Sequence, residues 1–166
     1  MKKLFYLLPL ILLCISCSNA QNKFSDQALS SKLISVDGNS TNLQSILKKH
    51  KGKAIVIEVW ASWCSDCVKN MPNIKKLQST HINNDTDFVF LSCDKTTEAW
   101  TKGIEKHELK GDHYLIPDGM KGVFGKSINL DWIPRYIIVD KKGNIALYKA
   151  IETDYDKVND AIKNIK

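Results

Sequence analysis

Seven consecutive residues, Ala54-Ile-Val-Ile-Glu-Val-Trp60, include a single charged side chain, and four of the seven are β-branched. Successive side chains of a strand point to opposite faces, so a strand that is apolar at nearly every position needs cover on both. Such a segment does not suit a half-solvated sheet. It predicts an α/β domain, with a central sheet between layers of helix. Just beyond its end comes Trp63-Cys64-Ser65-Asp66-Cys67. Val68, Met71, Ile74 and Leu77 then recur at helical spacing, which predicts a helix from about Cys64 to Ser79, with Pro72 inside it as a kink.

The same alternation continues along the chain. Residues 31–36 form a short strand candidate closed by the turn Asp37-Gly38-Asn39, and 42–49 suggest a short helix. Asp87-Phe-Val-Phe-Leu-Ser-Cys93 is a second buried strand, followed by a helix from Thr96 to about His107 with Thr96 or Thr97 as its N-cap. Between 108 and 132 the pattern is weaker, with a short strand at Tyr114–Ile116 and a turn of helix over 122–128. Arg135–Asp140 and Ile145–Tyr148 form a hairpin about Lys141–Asn144, and 154–165 form a last helix. The order is β-α-β-α-β-β-α behind an N-terminal extension. A chain of 166 residues and 18.8 kDa has room for one such domain. Its 43% hydrophobic and 25% charged residues exclude a disordered or collagenous chain. The net charge of +6 falls to 22 basic against 18 acidic residues without Lys2 and Lys3, and no basic run is interleaved with aromatics. Nucleic acid is therefore not an expected partner.

The first residues resemble an export address. Met1-Lys2-Lys3 precedes an apolar run from Leu4 to Ile15, about a dozen residues and too short to span a bilayer comfortably. Cleavage before Cys17 would follow a bacterial lipobox, with Cys14 standing where Leu is usual. Cleavage after Ser18-Asn-Ala20 would release a soluble secreted protein. The favoured reading has a signal peptide over 1–16, a lipidated Cys17, a polar tether over 17–30 and a folded domain over 31–166.

The chemistry is concentrated in the cysteine pair. Two thiols three residues apart at a helix start can close a small disulfide. The first would sit where unpaired N–H groups and the helix dipole favour an anion, and a thiolate there is the nucleophile of thiol–disulfide exchange. The second could then attack the mixed disulfide and release the partner. Haem attachment would need His where Val68 stands. A zinc site would need further ligands nearby, and His107 and His113 are distant, so neither metal nor cofactor is expected. A peroxidase pocket of the form Pro-x-x-x-Thr-x-x-Cys is missing, since residues 57–64 read Ile-Glu-Val-Trp-Ala-Ser-Trp-Cys. A plain structural disulfide stays open on the residues alone.

Glu58-Val-Trp60-Ala61-Ser62-Trp63-Cys64-Ser-Asp-Cys67 resembles the active site of the thioredoxin-fold family. Pro72, Trp132-Ile133-Pro134 and the turn Asp140-Lys-Lys-Gly143 match further family positions, so the resemblance spans roughly 31–166. With the leader, the N-terminal extension and Ser92-Cys-Asp94, the chain is similar to the TlpA-like and ResA-like extracytoplasmic oxidoreductases. The resemblance implies an α/β thioredoxin-like fold, a central mixed β-sheet flanked by helices with an N-terminal β extension. It implies that Cys64 attacks and Cys67 resolves, and that Pro134 is cis and places the Ile133 backbone beside the disulfide. Trp63 and Ile133 would contact substrate. Glu58 interrupts an apolar strand; buried, its pKa should rise, and it could exchange a proton with Cys67 through water. Where the family often has Lys on the adjacent strand, the alignment places Phe90.

The implied activity is reduction of disulfide-containing protein substrates by a monomer held to the membrane through its lipid anchor and recharged by a membrane thiol donor. The alternative is a non-catalytic periplasmic metallochaperone on the same scaffold. Asp66, in the same turn as Cys64, disfavours a thiolate there and so favours a reductant. Trp60 and Trp63 are expected around the site, with Trp132 either covering it or exposed in its loop. Trp100 and Cys93 are expected in the core, and Lys48–Lys53 as a solvated cluster that could face anionic lipid.

Overall fold

In a computed structural model that describes residues 21–81 and 85–165, the chain runs in order through thirteen elements. They are α1 (Asp26–Ser30), β1 (Lys32–Ser35), β2 (Ser40–Asn42), α2 (Leu43–Lys49), β3 (Ala54–Trp60), α3 (Ser65–His81), β4 (Thr86–Ser92), α4 (Thr97–His107), β5 (Asp112–Leu115), α5 (Val123–Ser127), β6 (Arg135–Val139), β7 (Ile145–Ala150) and α6 (Tyr155–Lys163). The strands form one seven-stranded sheet in the order β2-β1-β5-β4-β3-β6-β7. β3, β4 and β5 are parallel neighbours, joined through α3 and α4. β6 lies antiparallel on the other side of β3, with β7 beyond it. The hairpin β1–β2 adds to the β5 edge and is the expected N-terminal β extension of the mixed sheet.

β3 is buried at all seven positions, as its composition requires. Successive right-handed crossovers place α3 and α4 on the same face of the sheet, and α6 packs against α3 there. α1 meets α2 and α5 in a second layer. The two layers cover the uninterrupted apolar runs of β3 and β4. Trp60 and Trp100 are fully buried. α4 approaches the end of β3 closely because residue 103 is glycine: a Cβ there would lie 3.1 Å from the Trp60 ring and 2.8 Å from Ser62 Cβ. Thr96 caps α4 by accepting the Ala99 N–H.

Residues 1–20, with the proposed leader and Cys17, lie outside the described residues. The segment expected to be a tether is folded from Asn22 onward. The Ile145 N–H donates to the Asn22 carbonyl at 2.9 Å, and Phe24 and Ala28 are buried. The stretch is polar on average, but Phe24, just before the extended Ser25 cap, and Ala28 within α1 both turn into the core. β2 was not expected either, because its three polar residues have no apolar alternation and it forms through pairing with β1. The lysine cluster is only partly solvated in the simple sense: Lys53 pairs with Asp87 at 2.9 Å, and Lys49 pairs with Asp112. The buried His50 between them contacts Asp87 at 2.7 Å and Asp112 at 3.0 Å. Among the described residues no helix is long and apolar enough to cross a membrane.

Candidate active site

The site is built where β3 runs into α3. The Cys93 N–H donates to the Trp60 carbonyl at 2.8 Å, which ties the end of β3 to the residue after β4. The next turn is clamped by Asp94, a carboxylate only 3% exposed. It accepts from the Ser62 N–H at 3.0 Å, from the Ser62 hydroxyl at 2.6 Å and from the Ser92 hydroxyl at 2.7 Å. Sequence reasoning used Ser92-Cys-Asp94 as a family marker and missed this brace. The available signal was an acid at the end of an apolar strand.

Cys64 occupies the N-cap of α3. Its carbonyl accepts the Val68 N–H at 3.0 Å, and its Sγ lies 3.1 Å from the Cys67 N–H, the position a capping side chain takes. The fold therefore aims an otherwise unpaired helix donor at this sulfur, which is the physical basis for holding a thiolate there. Cys64 and Cys67 are joined as a disulfide. Cys64 retains 7% exposure and Cys67 none, so a substrate can reach only the first.

The Ile133–Pro134 bond is cis, and the Ile133 carbonyl oxygen lies 3.5 Å from Cys64 Sγ. A cavity of about 320 Å³ opens beside the disulfide, lined by Trp63, Cys64, Asp66, Met120, Trp132 and Ile133 among others. Trp63 is 59% exposed and Trp132 49%, with the Trp132 indole N–H donating to Glu152 at 3.2 Å. Both tryptophans are therefore rim residues. Trp60 is not; it lies in the core against α4.

Glu58 is 1% exposed, so it does not point to solvent from a strand edge. Its register partners are Phe90 on β4 and Tyr136 on β6. Phe90 supplies no charge, and it stacks on His113 with ring centroids 5.0 Å apart. Burial pushes the Glu58 carboxyl from its ordinary 4.5 up to about 8, against a hydrogen bond from the Tyr136 hydroxyl at 3.1 Å that acts to lower it. Among the described residues its second oxygen, which is buried, finds no hydrogen-bond partner. Tyr136 is in turn held by Asn70 Nδ2 at 2.6 Å, and Asn70 by Asn73 at 2.7 Å. Burial and the adjacent Glu58 keep the Tyr136 phenol well above its ordinary pKa, so it remains a donor. Tyr136 and Asn70 were missed in the sequence. Tyr136 reads there as one more apolar strand residue, and only its register opposite Glu58 reveals the contact.

Cys93 is buried in the way its position suggests. Burial first, then Asp94 and Asp118, pushes its thiol up to about 12 and keeps it protonated. Among the described residues no cluster of three or more His, Cys, Asp or Glu has the arrangement to hold a metal ion.

A family model for redoxins matches residues 20–165. The thiol-disulfide oxidoreductase ResA of Bacillus thuringiensis subsp. konkukian is 24% identical over 119 residues, covering 72% of this chain and 67% of that protein. The solution structure of a Bacteroides vulgatus protein described as a thiol-disulfide oxidoreductase shares 31% identity at a TM-score of 0.63, covering 77% of this chain and 81% of that one. The thioredoxin domain of a thiol-disulfide oxidoreductase from Bacteroides vulgatus shares 27% identity at a TM-score of 0.69, over 87% of this chain and 99% of that one. A capping cysteine beside a cis proline and a family match over almost the whole described chain agree: the chain belongs to the redoxin family, within its thioredoxin-like, ResA- and TlpA-type group of thiol–disulfide oxidoreductases.

Proposed function

We propose that this protein is an extracytoplasmic reductase of protein disulfides that works through Cys64 and Cys67. The observation that carries the reading is the asymmetry of the pair: Cys64 caps α3 under an open cavity, while Cys67 is fully buried behind it. In the dithiol form the Cys64 thiolate attacks one sulfur of a substrate disulfide. A mixed disulfide forms, and the other substrate sulfur leaves as a thiolate that takes up a proton. Cys67 then loses its proton, which Glu58 accepts through water, and attacks Cys64 Sγ. The second substrate thiol is released, the substrate has gained two electrons and two protons, and the Cys64–Cys67 disulfide is formed. A membrane thiol donor returns the pair to the dithiol. The Ile133 backbone beside Cys64 offers main-chain groups to a bound segment, and Pro134 fixes its path.

The export-type pattern of residues 1–20 supports an extracytoplasmic site of action, with lipidated Cys17 as the membrane attachment. The test is a Cys67→Ala variant. It should accumulate long-lived mixed disulfides that dithiothreitol releases, and iodoacetamide should label Cys64 before Cys67 in the reduced wild type. Trapping by a Cys64→Ala variant instead, or no trapping by either single variant, would overturn the assignment.

A further inference from the structure

The cavity beside Cys64 continues past the disulfide. Two of its lining residues, Met120 and Asp131, also line a second cavity of about 800 Å³, so the two adjoin along one groove-like face. Its far part is walled by Lys121, Lys126, Lys149 and Asn129. The acid in that wall, Asp131, is already engaged, since Arg135 pairs with it and Lys149 Nζ lies 3.4 Å away. Arg135 is 2% exposed, and among the described residues its Nε and Nη1 find no hydrogen-bond partner; its guanidinium adds positive charge close by. Among the described residues, Lys121 and Lys126 are exposed and make no ion pair. Three lysines therefore line the far end with one carboxylate, backed by the buried Arg135, while the near end is bounded by the exposed Trp63 and Trp132, its further acid Asp66 has Lys69 Nζ 3.8 Å away, and Met120 lies between the two cavities.

Resting on the oxidoreductase reading, we propose that this groove docks a disulfide-bearing protein substrate, with an apolar residue beside its cysteine at the tryptophan rim and an adjoining acidic segment along Lys121, Lys126 and Lys149. The groove opens onto the reacting sulfur, which gives a polypeptide attached to that sulfur a reason to lie in it; a lipid headgroup has none. Exposed lysines bind an individual carboxylate weakly, but several acting together on a flexible acidic segment raise the encounter rate and orient it.

The experiment compares two disulfide-bonded peptides that differ only in the flank after the cysteine, a run of Asp against a run of Asn, as substrates of the reduced protein. The expected result is a kcat/KM about tenfold higher for the acidic peptide at low salt, falling towards equality at about 1 M salt. In a Lys121→Glu, Lys126→Glu double variant the preference should vanish or reverse, and a Lys121→Gln, Lys126→Gln variant should be intermediate. Circular dichroism and the thermal midpoint confirm that these surface variants fold. Equal rates for the two peptides in the wild type, or an unchanged preference in the charge-reversed variant, would overturn the inference and leave the oxidoreductase reading intact. If neither peptide is reduced, that reading fails and the inference fails with it. Binding to phosphatidylglycerol vesicles that the double variant abolishes, without any peptide preference, would reassign the groove to a membrane surface and so also overturn it.

Discussion

Glu58 shows how a single residue carries both a structural cost and a chemical use. It sits in a strand that is otherwise apolar, hydrogen-bonded through one oxygen to Tyr136, and it titrates near 8. Below that pH it is mostly protonated, so it can accept the Cys67 proton only as it ionises. The rate of mixed-disulfide resolution should therefore rise through about pH 8 in the wild type. In Glu58→Gln the rate should be lower by about a hundredfold, with that inflection lost. Stopped-flow release of a fluorescent thiol across pH 6–10 checks this, and an unchanged profile would remove Glu58 from the mechanism. Near neutrality Glu58 is mostly protonated and carries little charge, so Asp66 is left to disfavour the thiolate alone. Asp66 lies in the first turn of α3, with Lys69 Nζ 3.8 Å away and its side chain 36% exposed, so its influence is partly screened. Asp66→Asn should stabilise the Cys64 thiolate and raise the reduction potential by about 10–20 mV, the equivalent of under 1 kcal/mol. Equilibration with glutathione would read this directly, and a potential that falls instead would contradict the electrostatic argument.

At the scale of elements, the site depends on how closely α4 packs behind it. Gly103 lets α4 rest on Trp60 and Ser62, the two residues through which β3 leads into the cysteine turn. Replacing glycine with alanine in a helix normally helps by up to about 1 kcal/mol. Here the added carbon would meet Ser62 Cβ at 2.8 Å, so overpacking should win by about 1–3 kcal/mol. Gly103→Ala should lower the urea midpoint with little change in slope. It should also displace the Ser62 turn, seen as altered Trp fluorescence on reduction. A stabilised Gly103→Ala protein would show that α4 can shift away without strain. The same logic makes Asp94 a positioning residue, since it joins the end of β4 to the turn before Cys64 through Ser62 and Ser92.

For the whole molecule, the buried and paired acids set the pH range of stability. Glu58 has its folded pKa raised to about 8 from 4.5, so between those values the folded state binds more protons than the unfolded state. Stability should therefore fall as pH rises through this window, by up to about 1.4 kcal/mol per unit from this one group. Burial raises Asp87 and Asp112, but His50 with Lys53 at one, and Lys49 with His50 at the other, outweigh it and leave both below their ordinary 3.8. Their contribution is present above the ordinary carboxylate range and is lost as pH falls through it. Urea unfolding of the oxidised protein should thus show a maximum near pH 5, and Glu58→Gln should flatten the alkaline side. A maximum at pH 8 or above would refute the burial argument. The architecture was legible in the sequence wherever the pattern was local: the doubly buried β3, the helix after Cys64, the β6–β7 hairpin and the cysteine pair itself. Each follows from side-chain periodicity or from spacing over a few residues. Contacts between distant segments were decided only by the tertiary structure. It folded residues 22–30 onto the domain, paired the three polar residues of β2 with β1, set Tyr136 and Asn70 around Glu58, made Asp94 a clamp and joined Lys121, Lys126 and Lys149 into one groove. A strand register or a shared groove depends on which segments become neighbours, and periodicity along the chain carries no information about that.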